Sequence, residues 1–115
     1  MIKRGDVVLL SFPFTNLTTT KVRPALVVSD DSFNKASKDA IFLFITKKKY
    51  TTSFDLRINN DNPGFKTSGL KESSTIRVSK IMCLEQKLVR RRLGFAGKHI
   101  LNKVDSALKC LFNLS

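Results

Sequence analysis

Apolar residues in this chain come in short runs, and the runs are of strand length. Val7 to Phe12 holds five apolar residues in six and meets Pro13, which cannot donate to a ladder, so a first strand should end there. Pro24 opens a second run, Ala25 to Ser29, apolar and β-branched enough to predict a strand covered on both faces. Ala40 to Thr46 predicts a third strand. Phe54 to Ile58 and Ser74 to Met82 alternate apolar with polar, the pattern of half-buried strands, and in the latter Arg77 and Ser79 fall together on the face opposite Ile76 and Val78. The period then changes. Ile100, Leu101, Val104, Ala107, Leu108 and Leu111 recur three and four residues apart, which predicts an amphipathic helix from Lys98 to Phe112 with Gly97 as its cap. The stretches between read as connections: "FTNLTTTK" as a mobile loop, "DDSFNKASKD" as turn material, "KKKYTTS" as a basic loop, and "NNDNPGFKTSG" as a surface loop excluded from the core. Short strands followed by one helix imply a mainly β protein with a C-terminal α-helix, built as a small, strongly bent sheet or barrel. No linker or repeat divides residues 1–115, so a single domain is expected.

Charge changes this picture most. There are 21 Lys and Arg against 9 Asp and Glu, a formal net charge of +12, and a self-repelling surplus of that size costs folding stability unless an acidic partner is met. Nucleic acid, an acidic protein segment or an anionic membrane would each serve. The apolar runs are too short to span a bilayer or to form a signal-peptide core. Cys83 and Cys110 are too few for a disulfide framework or a zinc site and are expected as reduced, buried thiols of a cytoplasmic protein.

Metal-assisted phosphate chemistry needs convergent carboxylates or histidines. His99 stands alone among lysines, and Asp30 and Asp31 are adjacent in a turn, so no metal is expected. No serine or cysteine has a credible histidine base, and no glycine-rich phosphate loop is present. What remains is cationic. In "KVRPALVVSDD", Pro24 confines Arg23 to extended backbone, so its guanidinium leaves the chain in a restricted direction. Two destinations are open to it: a buried pair with Asp6, or an anion outside the fold. Thr46 ends the third strand before three lysines with a hydroxyl able to donate to a phosphoryl oxygen, although a β-branched residue there also suits a strand end.

"RGDVVLLSFPFTN", "KVRPALVVSDD", "FLFIT", "SGLKESSTIRVSKI" and "VRRRLG", in that order ahead of a short amphipathic helix, resemble the MazF/PemK family of toxin endoribonucleases over essentially the whole chain. The resemblance implies an SH3-like small barrel that dimerises. It implies a cofactor-free RNase that cuts single-stranded RNA at short motifs, leaving a 2′,3′-cyclic phosphate and a 5′-hydroxyl. It also implies an antitoxin partner whose acidic flexible tail covers the RNA groove, in a complex that binds DNA. The family's catalytic arginine and threonine fall on Arg23 and Thr46. Arg77 matches a further arginine of one branch, and Ser79 stands where that branch has an aspartate.

In such a reaction the substrate's own 2′-hydroxyl attacks phosphorus, so the protein must supply a proton acceptor, a proton donor and charge stabilisation. Arginine fits the last two, whereas Ser79 cannot stand in for a carboxylate as acceptor. RNA would be held by Phe14, Thr15, Asn16 and Lys21 on one side and by Lys47, Lys48, Lys49, Tyr50 and Lys80 on the other, with lysines tracking phosphates and aromatics stacking bases. Phe14 suits core packing as well as stacking, and "VRRR" suits a solvated face as well as RNA. Two other readings carry distinct tests. A gyrase poison of the same fold would co-purify with gyrase and cut nothing, and a non-catalytic RNA-binding module would bind RNA without forming product.

Overall fold

The computed structural model describes residues 2–12, 21–50 and 52–115. Its strands are β1 (Asp6–Phe12), β2 (Lys21–Val27), β3 (Asp39–Thr46), β4 (Asp55–Ile58), β5 (Ser74–Glu85) and β6 (Val89–Phe95). Its helices are α1 (Asp31–Ala36), α2 (Phe65–Ser68) and α3 (Gly97–Leu111). The strands form one antiparallel sheet in the order β4-β5-β3-β2-β1-β6. The mainly β architecture with a C-terminal helix is therefore as expected. The sheet bends but does not close, since β4 and β6 remain its two edges.

Both faces of the sheet carry a core, which is why the central runs are apolar without alternation. On one face Val7, Leu26, Leu43, Ile45, Ile76 and Val78 pack with Ile100 and Val104 of α3. On the other, Val8, Leu10, Ala25, Val27 and Phe42 pack together, with Phe12 and Phe44 edge to face. Each fully buried Val, Leu, Ile or Phe among them stabilises the fold by about 1.5–3 kcal/mol.

Several connections hold more structure than their composition suggests. Residues 31–36, expected as a turn, form α1: Asp30 caps it by accepting from the Ser32 amide, and the Ser32 hydroxyl and amide hold the Asp30 carboxyl below its usual range. The loop expected to stay out of the core contains α2, whose Phe65 and Ser68 are buried, with Phe65 inside the α3-side cluster. "VRRRLGF" is the edge strand β6, paired with β1 alone, and β5 runs on to Glu85. The two cysteines are free but exposed rather than buried.

Two irregularities shape the site. β2 begins earlier than expected, at Lys21, and Pro24 lies within it opposite Leu9 of β1. The ladder from β2 to β3 spans only Ala25–Val27, so it stops beside Pro24, whose nitrogen has no hydrogen to give. On β5, the register jumps between the pairs Leu43↔Ile81 and Phe44↔Arg77, leaving Val78, Ser79 and Lys80 in a bulge.

Candidate active site

Arg23 is exposed and makes no pair with Asp6. Its Nη1 donates to the carbonyl of Val22 at 3.2 Å, while Asp6 accepts from the Lys3 amide at 2.8 Å and from Arg92 Nε at 2.9 Å. The buried Arg23–Asp6 pair is thus excluded, and Arg92 takes that place. Asp6 is 4% exposed and its charge is compensated by Arg92, so among the described residues no carboxylate is paired with Arg23.

Thr46 is brought to the same place by strand register. Ala25 pairs with Phe44 at the end of the ladder, Arg23 and Thr46 each lie two residues beyond that pair, and both line one cleft. The ladder has already ended there, and the separating strands open a cleft of about 600 Å³. Its less exposed lining is apolar apart from Thr46 and Ser74: Leu9, Val22, Pro24, Ile45, Leu70 and Leu93. Its exposed lining bears four cations, Arg23, Lys47, Lys71 and Arg91, against one carboxylate, Glu72. The Thr46 hydroxyl oxygen accepts from the Lys48 amide at 3.3 Å, which fixes the oxygen and leaves its proton free to be donated.

Arg77 is placed differently from the expectation. Its Nε donates to Asp55 at 2.6 Å, in a pair whose side chains are 13% and 1% exposed, and its guanidinium stacks 3.6 Å from the Tyr50 ring centre. Arg77 does not line the cleft. The bulge breaks the alternation expected to place Ser79 beside it, and Ser79 and Lys80 are exposed there, outside the cleft lining. Lys47 lines the cleft, and Lys48, Lys49 and Tyr50 follow it, all exposed. Lys21 is exposed at the start of β2 opposite Phe12. Phe14, Thr15 and Asn16 lie outside the described residues. Of the arginine run, Arg91 joins the cleft while Arg90 donates to Ser11. Among the described residues no group of three or more His, Cys, Asp or Glu could hold a metal ion, and His99 is exposed on α3.

Arg57 is a residue that sequence reasoning passed over. From β4 its Nη1 reaches across the sheet to the carbonyls of Lys47 at 2.9 Å and Lys48 at 3.4 Å and to Thr75 Oγ1 at 3.0 Å, anchoring the backbone just after Thr46. Losing these bonds, each worth about 0.5–1.5 kcal/mol, should let the segment open more often. Arg57→Met is expected to speed amide hydrogen exchange over Lys47–Lys49 by about tenfold, while exchange in the core of β3 stays slow. Unchanged exchange over those lysines would show that the contacts hold nothing.

Fold and cleft together define a small basic β protein with a cation-rich cleft beside the ends of β2 and β3. The chain belongs to the PemK-like, MazF-like toxins of type II toxin-antitoxin systems, whose sequence profile matches residues 3–112. It is 28% identical over 116 residues to "Endoribonuclease MazF" of Staphylococcus epidermidis, covering all of this chain and 94% of that protein. A mycobacterial endoribonuclease solved with its cognate antitoxin superposes with a TM-score of 0.80 at 18% identity, over 100% of this chain and 98% of that one. The MazE–MazF complex of Deinococcus radiodurans gives a TM-score of 0.80 at 21% identity, over 99% and 98%.

Proposed function

We propose that this chain is an endoribonuclease toxin that cleaves single-stranded RNA at short sequence motifs without a metal ion. The observation carrying this reading is the convergence of Arg23 and Thr46 on one cationic cleft, in a chain of the MazF-like toxin family. The 2′-oxygen of the substrate attacks the adjacent phosphorus, and the P–O5′ bond breaks. Arg23 grips the phosphoryl oxygens, stabilises the charge that grows on them, and gives a proton to the departing O5′. Thr46 donates to a phosphoryl oxygen and orients the group in line. Arg77, tied to Asp55 and stacked on Tyr50, holds the basic segment after Thr46 in place rather than meeting the phosphate. Lys47, Lys71 and Arg91 track neighbouring phosphates.

The net charge of +12 suits an acidic antitoxin tail as much as RNA, and relatives were solved with antitoxins. A homodimer acting in the cytoplasm agrees with the family. Among the described residues no helix is long and apolar enough to cross a membrane.

Incubation of the purified protein with a long transcript in excess EDTA tests the reading. Discrete cleavage sites are expected, with new 5′ ends that polynucleotide kinase labels without prior phosphatase treatment, as 5′-hydroxyls require. Intact RNA at high protein concentration would overturn it.

A further inference from the structure

Resting on the ribonuclease reading above, we propose that Glu72 is the catalytic proton acceptor, taking the proton from the attacking 2′-hydroxyl. The reaction needs a group that is unprotonated at neutral pH and lies beside the phosphate site, and carboxylate and neutral imidazole are the ordinary choices. The chain contains nine carboxylates and one histidine to choose from. Glu72 alone among them lines the cleft that holds Arg23 and Thr46. Several of the others are visibly committed elsewhere: Asp6 to Arg92, Asp55 to Arg77, Asp105 to Arg4, and Asp30 to the cap of α1. Pro13 to Thr20, outside the described residues, contributes neither an acid nor a histidine.

Placement supports the role. Glu72 Oε2 lies 3.4 Å from Nζ of Lys47, the residue that follows Thr46, so the carboxylate is drawn toward the reacting end of β3. Side-chain exposures of 59% for Glu72 and 74% for Lys47 keep that pair loose and wet, unlike the sealed Arg77–Asp55 pair, so the oxygen is free to exchange its lysine for a hydroxyl. A carboxylate in an RNA cleft also repels phosphate, and a site selected for binding alone would do better without it. In the step itself, the O2′–H bond breaks and its proton passes to Glu72 as O2′ bonds to phosphorus. The P–O5′ bond breaks as O5′ takes a proton from Arg23. Glu72 ends protonated and Arg23 neutral, and exchange with solvent resets both.

The test is single-turnover cleavage against pH for the wild type, Glu72→Gln and Glu72→Asp. Affinity is measured in parallel on the same RNA carrying a 2′-deoxyribose at the mapped cleavage position. Because Glu72 is exposed, the variants should unfold at the wild-type midpoint. The wild-type rate is expected to fall on the acid side with unit slope, as the carboxylate takes up its proton. Glu72→Gln should cut the rate at neutral pH by about 10²–10⁴-fold and lose that acid limb, with RNA bound as tightly or more tightly. Glu72→Asp should keep the limb at a reduced rate. A Gln variant cutting within threefold of wild type, or one that is slowed but keeps the same acid limb, would remove Glu72 from the chemistry and leave the ribonuclease reading standing. Failure of the wild type to cut any RNA would instead remove both.

Discussion

Arg23→Ala should slow RNA cleavage by about 10²–10³-fold while the protein stays folded. The guanidinium is exposed and, within the described residues, its one recorded hydrogen bond is to the carbonyl of its own neighbour Val22, so truncation leaves no buried group unpaired. Stability should therefore move by no more than about 0.5 kcal/mol, as at an ordinary surface site. Catalysis should respond very differently. One donor aimed at the charge that develops on phosphorus is worth about 3–4 kcal/mol, so the rate of cleavage should drop by about 10²–10³-fold. Arg23→Lys should recover little, because an ammonium offers a point charge where the fork spans two phosphoryl oxygens. Initial rates on a mapped transcript, read beside the thermal midpoint, check both halves. Full activity in the alanine variant would move the reacting centre away from the parting of β2 and β3.

The largest effect on stability is expected at Gly69. Its φ of +76° lies in the left-handed region, and a Cβ built there would meet the Leu93 carbonyl oxygen at 2.1 Å and its carbon at 2.6 Å. That neighbour is backbone of β6 and cannot rotate away. Left-handed strain and overpacking against fixed backbone each cost about 1–3 kcal/mol, so Gly69→Ala should lose about 3–4 kcal/mol. Chemical denaturation would read this as a lower midpoint with an unchanged slope. The same substitution should damage activity in whatever still folds, since residues 69–72 form one wall of the cleft. A variant with the wild-type midpoint would mean that α2 and β6 separate at little cost.

The central strands were more legible than the segments around them. Arg23 before proline and Thr46 at the end of an apolar run are local signals, and the structure brings both to one cleft. The strands with strong apolar patterns, β1 and β3, formed close to the expected limits. What stayed hidden had weak local signals. The six residues of α1 are too few to show a helical period, although Asp30 has the chemistry of a cap. Phe65 is surrounded by loop-forming residues, so composition masked its burial. Nothing in "STIRVSKIM" announces three bulged residues, because a bulge is set by what the partner strand demands, and the face expected for Ser79 went with it. Three arginines concealed β6, whose ladder to β1 tolerates charge on an exposed edge. Arg57 and Glu72 make contacts that join residues ten and twenty-five positions apart, which periodicity does not reveal.

Pro24 gives the cleft a property that follows from covalent structure alone. A sheet whose two strands continued to zip would bring Arg23 and Thr46 together over filled space. Here the zipper halts for want of a single hydrogen atom, and a cleft of about 600 Å³ lies where it stops, so an RNA bound as proposed would not first have to pry the strands apart.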